Sequence, residues 1–434
     1  MKRAFRVLIF ASLIMIIIII YYLSHDFGGD SGVKKIYFAD NISSAHQSLI
    51  EKFNHEFEGQ IEVFPINLPF SKFSTNERKE LLARSLRSKT DRIDLLAVDL
   101  IWVPRFSRWA EPLDMYFPQQ QRSSVIPNAM ASCYFNDQLV GFPFYIDVGL
   151  MYYRRDLLQK LADYPSWEKR IQSSLTWPEL LTLAKSLHSP QGYSYIFAAD
   201  NYEGLVCSFL DLLISQGSSI ITGDSVNLVT EPAIRSLQLL VDLVNKYKVT
   251  PPEVTSFDEY QEYLYALRYD IPFLRGWPGA KTQYRYTIEN GEKLNLLEFG
   301  PLPHFEGAKT TFVLGGWDLM IPRYSHRKTE AVEFIKFILR PENQKLLYQQ
   351  GGFIPVMREV YADSEFIRQN PELIRYQSLI QQGFHRPMLV DYTKISDAIS
   401  YYSNLAIKGD LPVREALRRA TETINQNRAV IKKP

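Results

Sequence analysis

The chain has 434 residues, 46% of them hydrophobic and 22% charged, which is too long for one ordinary core and has the composition of a folded globular protein. A formal net charge of +1 supplies no basic face, so a nucleic-acid binder working through phosphate contacts is excluded. Aromatic residues make up 13% of the chain, enough to furnish both core and a cleft that stacks flat ligands.

The first element is an apolar run from Val7 to Leu23 behind Lys2, Arg3 and Arg6. At helical rise it reaches roughly 25 Å, close to the thickness of a hydrocarbon core. Basic flanks stay cytoplasmic, so the body is expected outside. Tyr21, Tyr22 and Leu23 suit a signal peptidase poorly and no Cys follows to take lipid, which favours an uncleaved anchor over a cleaved signal peptide. Residues 1–24 are read as this segment and 25–33, rich in glycine, as a tether.

Lys35 to Ala39 reads as a strand, Ala45 to Phe57 as a helix through Leu49, Ile50, Phe53 and Phe57, Ile61 to Phe64 as a strand, Asn76 to Arg87 as a helix, and Ile93 to Val98 as a strand. That βαβαβ order predicts a parallel sheet with helices on its faces, and ligands beyond its carboxyl ends. Asp40 to Ser44 and Asp99 to Trp102 occupy those ends. Tyr134 to Phe144 reads as a hairpin around Asn136-Asp137. It feeds Gly141 to Asp156, a stretch expected to join two lobes and to turn Tyr145 and Asp147 toward a gap, since positions two apart share a face.

Thr176-Trp-Pro-Glu179 opens a helix with a cap, an early Pro and a capping-box Glu. Further helices fit Gly204 to Ser215 and Glu231 to Tyr247. Asp270 to Leu274 reads as a strand returning to a sheet, Gly315-Gly316-Trp317-Asp318 as a turn before strand Leu319 to Pro322, and Thr329 to Leu339 and Val413 to Thr423 as helices. Cys133 and Cys207 are read as buried thiols in preference to a bridge. The seven histidines show no paired ligand spacing, and there is no Gly-x-Ser-x-Gly or phosphate-cradling loop. Neither metal nor cofactor is expected.

Four blocks in this order resemble the extracellular solute-binding proteins of ABC importers, family 1, in particular the maltose- and trehalose-type cluster. They are Gly-Phe-Pro-Phe-Tyr-Ile-Asp at 141–147 with Leu-Met-Tyr-Tyr-Arg-Arg-Asp-Leu-Leu; Phe-Leu-Arg-Gly-Trp-Pro at 273–278; Gly-Gly-Trp-Asp-Leu-Met-Ile-Pro at 315–322 with Arg340-Pro-Glu-Asn-Gln; and Arg386-Pro387 with Tyr392, Ile395 and Ser396. The resemblance implies a two-lobed α/β fold, type II, closing on ligand by hinge bending. The first lobe would hold 34–142 with 270–314, the second 143–269 with 315–434. It also implies a carbohydrate ligand, an ABC permease as partner, an extracytoplasmic location and no enzymatic activity.

Sugar sites need carboxylates or guanidinium groups for hydroxyls and aromatic faces for rings. The positions matching the family pattern are Asp99, Tyr145, Asp147, Trp277, Gly316, Trp317 and Arg386, with Trp317 the first choice for stacking. Tyr152, Tyr153 and Arg154 are assigned to packing. A sensory ectodomain of the same fold and a carbohydrate-active enzyme using Asp99 with Asp147 are the alternatives.

Overall fold

The computed structural model describes residues 32–69, 75–89, 93–187, 189–223 and 225–426. The apolar run at 7–23 and most of the tether lie outside them, and among the described residues no helix is long and apolar enough to cross a membrane.

The chain begins as its periodicity predicts, with β1 (Lys34–Asp40), α1 (Ser44–Glu56), β2 (Ile61–Asn67), α2 (Thr75–Ser88) and β3 (Leu95–Asp99). Ser43 and His46 close a capping box at the start of α1, satisfying amide groups that the first turn leaves open. Leu49, Ile50 and Phe53 then bury one helical face. Phe53 meets Phe334 and Phe337 edge to face at 4.8 and 5.2 Å, a geometry that suits the ring quadrupoles.

The remaining large elements are β4 (Phe142–Val148), β5 (Leu150–Arg154), α3 (Trp177–Ser186), β6 (Tyr195–Ile196), α4 (Glu203–Ser215), α5 (Glu231–Asn245), α6 (Glu259–Arg268), β7 (Phe273–Gly276), β8 (Leu297–Gly300), β9 (Phe312–Met320), α7 (Lys328–Ile338), α8 (Pro341–Gly351), α9 (Glu372–Gln381), β10 (Gly383–Phe384), α10 (Tyr392–Lys408) and α11 (Val413–Gln426). One sheet runs β10-β9-β3-β1-β2, with β4 also paired to β9; the other runs β8-β5-β7-β6. In the first, β1 lies parallel to β2 and β3, and β9 runs antiparallel to both β3 and β4. Helices α1, α7, α8 and α9 pack around the first sheet, whereas α4, α5, α10 and α11 pack together in the second lobe.

Several expected allotments differ from this arrangement. β7 and β8, inside 270–314, pair with β5 in the second sheet, whereas β9, β10 and helices α7 to α9, inside 312–384, lie with the first and not with the second lobe expected for 315–434. The boundary expected at 142/143 falls at Gly149 instead, because Phe142–Val148 pairs with β9 along its length, Phe144 alone being skipped. The reason is physical: a short, fully buried apolar strand satisfies either sheet, and only its ladder partners decide between them. The expected Gly-Gly-Trp-Asp turn is likewise interior strand. Gly316 takes φ 135° and the register shifts between Trp317 and Asp318. A Cβ at Gly316 would stand 2.6 Å from the Tyr145 carbonyl oxygen, so glycine permits close strand pairing where a turn was expected, and the extra residue of the irregularity is Phe144 on β4. The hairpin at Asn136-Asp137 does form, with both residues at positive φ, and both cysteines are free and buried.

Asp318, on β9, is 2% exposed, and its polar neighbours are Ser132 and Cys133. Burial pushes its carboxyl up to about 7, from about 3.9 in an unfolded chain. The folded state therefore holds a proton that the unfolded state releases, and this contribution, intact below about pH 4, is lost progressively up to about pH 7. The penalty at neutral pH is roughly 4 kcal/mol at most. Thermal melts should show Asp318→Asn gaining several degrees over wild type at pH 8 and nothing at pH 4. A difference independent of pH would show that the buried group does not titrate this way.

Candidate functional site

The carboxyl ends of β1 and β3 place Asp40 and Asp99 on one rim, and the ladder of β9 supplies the floor. Trp317 lies opposite Asp99 on one side and Tyr145 on the other, while Gly315 lies opposite Asp147. Strand pairing thus gathers five positions from three segments that are far apart in sequence. The second lobe adds Trp277 just beyond β7, Glu203 and Glu259 at the starts of α4 and α6, and Arg386 between β10 and α10.

Trp277 and Asp147 are neighbours across Gly315. A Cβ at Gly315 would lie 3.1 Å from the tryptophan Cζ3 and 3.3 Å from the Asp147 Cβ, so the missing side chain is what lets the ring in. The Trp277 backbone is fixed at both ends. Its N–H donates to the Tyr263 hydroxyl at 3.1 Å, and its carbonyl accepts from the Tyr152 hydroxyl at 2.9 Å. The indole Nε1 donates to Glu259 at 3.3 Å, and the Arg275 guanidinium covers the ring at 4.4 Å. The side chain remains half-buried. Asp147, also half-buried, has its carboxyl pushed up to about 7, first by burial and then by the nearby Asp99 charge.

Asp99 and Arg386 meet directly. Arg386, 3% exposed, donates from Nη2 to Asp99 Oδ1 at 3.3 Å and from Nη1 to Glu203 Oε1 at 2.8 Å. Glu203 is itself held by the Tyr392 hydroxyl at 2.9 Å and by Ser396, residues of the fourth sequence block. Asp99 Oδ1 also accepts from the Ile101 N–H at 3.1 Å. Burial raises the Asp99 carboxyl, opposed by the Arg386 charge. The charge of a buried arginine is tolerable only with partners such as these.

Trp317 lies otherwise than expected for a stacking platform. It is 8% exposed, with the Arg78 guanidinium over its ring at 4.3 Å and Trp102 against it edge to face at 5.5 Å. Arg78 is fully buried and bonded to Asp40 at 3.1 Å; burial pulls its pKa down. Tyr145 is 9% exposed and packs on Phe353 at 4.6 Å between ring centroids; burial raises its hydroxyl well above the ordinary value. His46 stacks on Phe144 and Phe353, and burial lowers its pKa. Tyr152 and Tyr153 are buried, and Arg154 pairs with Asp156 and Asp270 at 2.7 and 2.6 Å, as packing requires.

The sequence offered no sign of Arg78, Glu203 or Glu259 as parts of this site, and Arg275 stood in the second block without a role of its own. Arg78 lies on an amphipathic helix like any surface arginine, and only the fold buries it. Glu203 and Glu259 share the first turn of their helices, where acidic residues are common for reasons of the helix dipole. Among the described residues no cluster of His, Cys, Asp or Glu is arranged to hold a metal.

Residues 49–374 match the family described as bacterial extracellular solute-binding protein. A curated relative, a probable ABC transporter-binding protein of Deinococcus radiodurans, is 26% identical over 338 residues, covering 75% of this chain and 78% of the relative. Maltose-bound MalE3 of T. maritima superposes with a TM-score of 0.81 at 26% identity, covering 91% of this chain and all (100%) of that one. A solute-binding protein of Thermotoga lettingae bound with α-D-tagatose gives 0.77 at 21% identity, covering 91% and 99%, a likeness of fold.

Removing the guanidinium of Arg386 should strand Asp99 and Glu203. Arg386→Met, similar in bulk, is expected to cost about 3 kcal/mol or more in urea unfolding. A loss below about 1 kcal/mol would mean that solvent or rearrangement compensates the two carboxylates.

Proposed function

The chain belongs to the bacterial extracellular solute-binding proteins, and on that premise we propose that it captures a carbohydrate between its lobes and delivers it to an ABC permease. It is extracytoplasmic by family; the apolar run at 7–23 would tether it to the membrane. Its relatives are binding proteins, and capture needs no chemistry, since closure around ligand is itself the signal that a partner reads.

The observation that carries the reading is the juxtaposition of Trp277 and Asp147 across Gly315. An aromatic face takes the apolar side of a sugar ring, and an adjacent carboxylate accepts its hydroxyls. The maltose bound by the T. maritima protein makes a disaccharide or short oligosaccharide the first ligand to try. Arg386, Asp99 and Glu203 form the polar end of the same cleft. Trp317 serves here as a wall beneath Arg78, and the stacking role passes to Trp277. Tyr145 and Gly316 contribute shape through the β4–β9 ladder.

Calorimetry against maltose, tagatose and a panel of neutral saccharides tests this. Trp277→Ala and Asp147→Ala should each weaken binding at least tenfold, about 1.4 kcal/mol. Ligand hydroxyls donate to the ionised carboxylate, whereas the free site holds its proton up to about 7. Affinity should therefore rise by roughly tenfold between pH 6 and pH 8, and Asp147→Asn should flatten that slope. No binding of any saccharide, with tight binding of another solute, would sink the carbohydrate assignment.

A further inference from the structure

We infer that Asp211 and Arg275 are a positioning pair that locks Trp277 to the place where the chain crosses between lobes. The inference rests on the reading of Trp277 as a ligand contact and adds the device that holds it. Two of the crossings meet at this pair. The chain passes from β4 to β5 at Gly149, and it returns from β8 to enter the first sheet at β9.

Asp211, on α4 and 6% exposed, uses its two oxygens on different elements. Oδ1 accepts from the Val313 N–H of β9 at 2.7 Å, and Oδ2 accepts from Arg275 Nε of β7 at 3.0 Å. Gly149 donates to the Val313 carbonyl at 2.9 Å, which ties the first crossing to the second. A Cβ at Gly149 would stand 2.9 Å from Arg275 Nη2 and 3.5 Å from both Asp211 oxygens. The ion pair is thus pressed against the crossing backbone with no side chain between.

The same guanidinium lies over Trp277 at 4.4 Å. Its Nη2 has no hydrogen-bond partner, and Arg275 also lines, with Trp177, Tyr195, Ser208 and Asp211, a cavity of about 20 Å³. The position of the guanidinium is set by Asp211 along one edge and by the indole across its face. A planar, delocalised cation can serve both contacts at once; an ammonium serves only the charge. A buried pair of this kind gives weak net stability, so its consequence is geometric: the ring and the two crossings move as one piece.

Arg275→Lys and Asp211→Asn separate the two contacts. Amide hydrogen exchange of the peptide containing Val313 reads the crossing. Acrylamide quenching, taken as the difference between each variant and the same variant carrying Trp277→Phe, reads the ring. Asp211→Asn should speed Val313 exchange at least tenfold and roughly double the quenching of Trp277. Arg275→Lys should leave Val313 protected and still raise the quenching, a split that a merely stabilising pair would not produce. Unchanged Trp277 quenching in both variants overturns the inference, as does an Arg275→Lys profile identical to that of Asp211→Asn. Neither readout needs ligand. With maltose as the probe, absence of binding to wild type would count against the carbohydrate reading alone, and the exchange and quenching results would still decide the positioning role.

Discussion

A buried strand must find ladder partners on both sides, and β9 meets that requirement in a way that fixes the rest of the cleft. All nine residues from Phe312 to Met320 are buried. They are served by β3 and β10 along part of the length and by β4 along most of it. Unpaired peptide groups there would each cost about 1–3 kcal/mol, so the register has little freedom. Once it is set, Gly315 must face Asp147 and Trp317 must face Asp99 and Tyr145. The irregularity between Trp317 and Asp318, where Phe144 of β4 is the extra residue, decides which side chains then point at the gap.

Charge is handled alike at three places. Arg78, Arg275 and Arg386 are each nearly inaccessible and each pairs with a carboxylate, Asp40, Asp211 and Asp99 with Glu203 respectively. The first two also lie over a tryptophan. Guanidinium is suited to this because its planar fork takes a carboxylate edge-on and an aromatic ring face-on. What separates the two tryptophans is the remaining side. Trp317 meets Trp102 and is 8% exposed, whereas Trp277 has Gly315 against it and keeps part of its ring open.

The early βαβαβ order was readable because apolar spacing acts locally, and the start of α3 was readable because Thr176 closes a capping box. Trp277, Asp147 and Arg386 were singled out through the motif blocks and Asp99 through its place at the end of a strand, and the fold brings them to one cleft. The pairing of β7 was not, because Phe273-Leu274 satisfies any buried sheet, and its neighbours Tyr152 and Tyr153 lie more than a hundred positions away. Arg78, Asp211 and Arg275 were hidden for a related reason. A charged residue reads as solvated unless the fold brings a partner and removes water, and both events depend on distant segments.

The contact between Asp99 and Arg386 sets how closure can work. Glu203 and the residues that hold it, Tyr392 and Ser396, belong to α4 and α10, so Arg386 stays paired within the second lobe if the lobes part. Asp99 likewise keeps its bond to the Ile101 N–H in the first. Parting Asp99 from Arg386 therefore breaks one charged hydrogen bond of 3.3 Å and leaves neither partner without another. A buried pair of this kind contributes little net free energy once desolvation is counted, whereas a micromolar ligand supplies about 8 kcal/mol. The ion pair orients the lobes but cannot by itself hold them shut against the entropy of opening. A ligand that bridges Trp277 and Asp147 while offering hydroxyls to Asp99 contributes most of the closing free energy, which is the condition for closure to report occupancy.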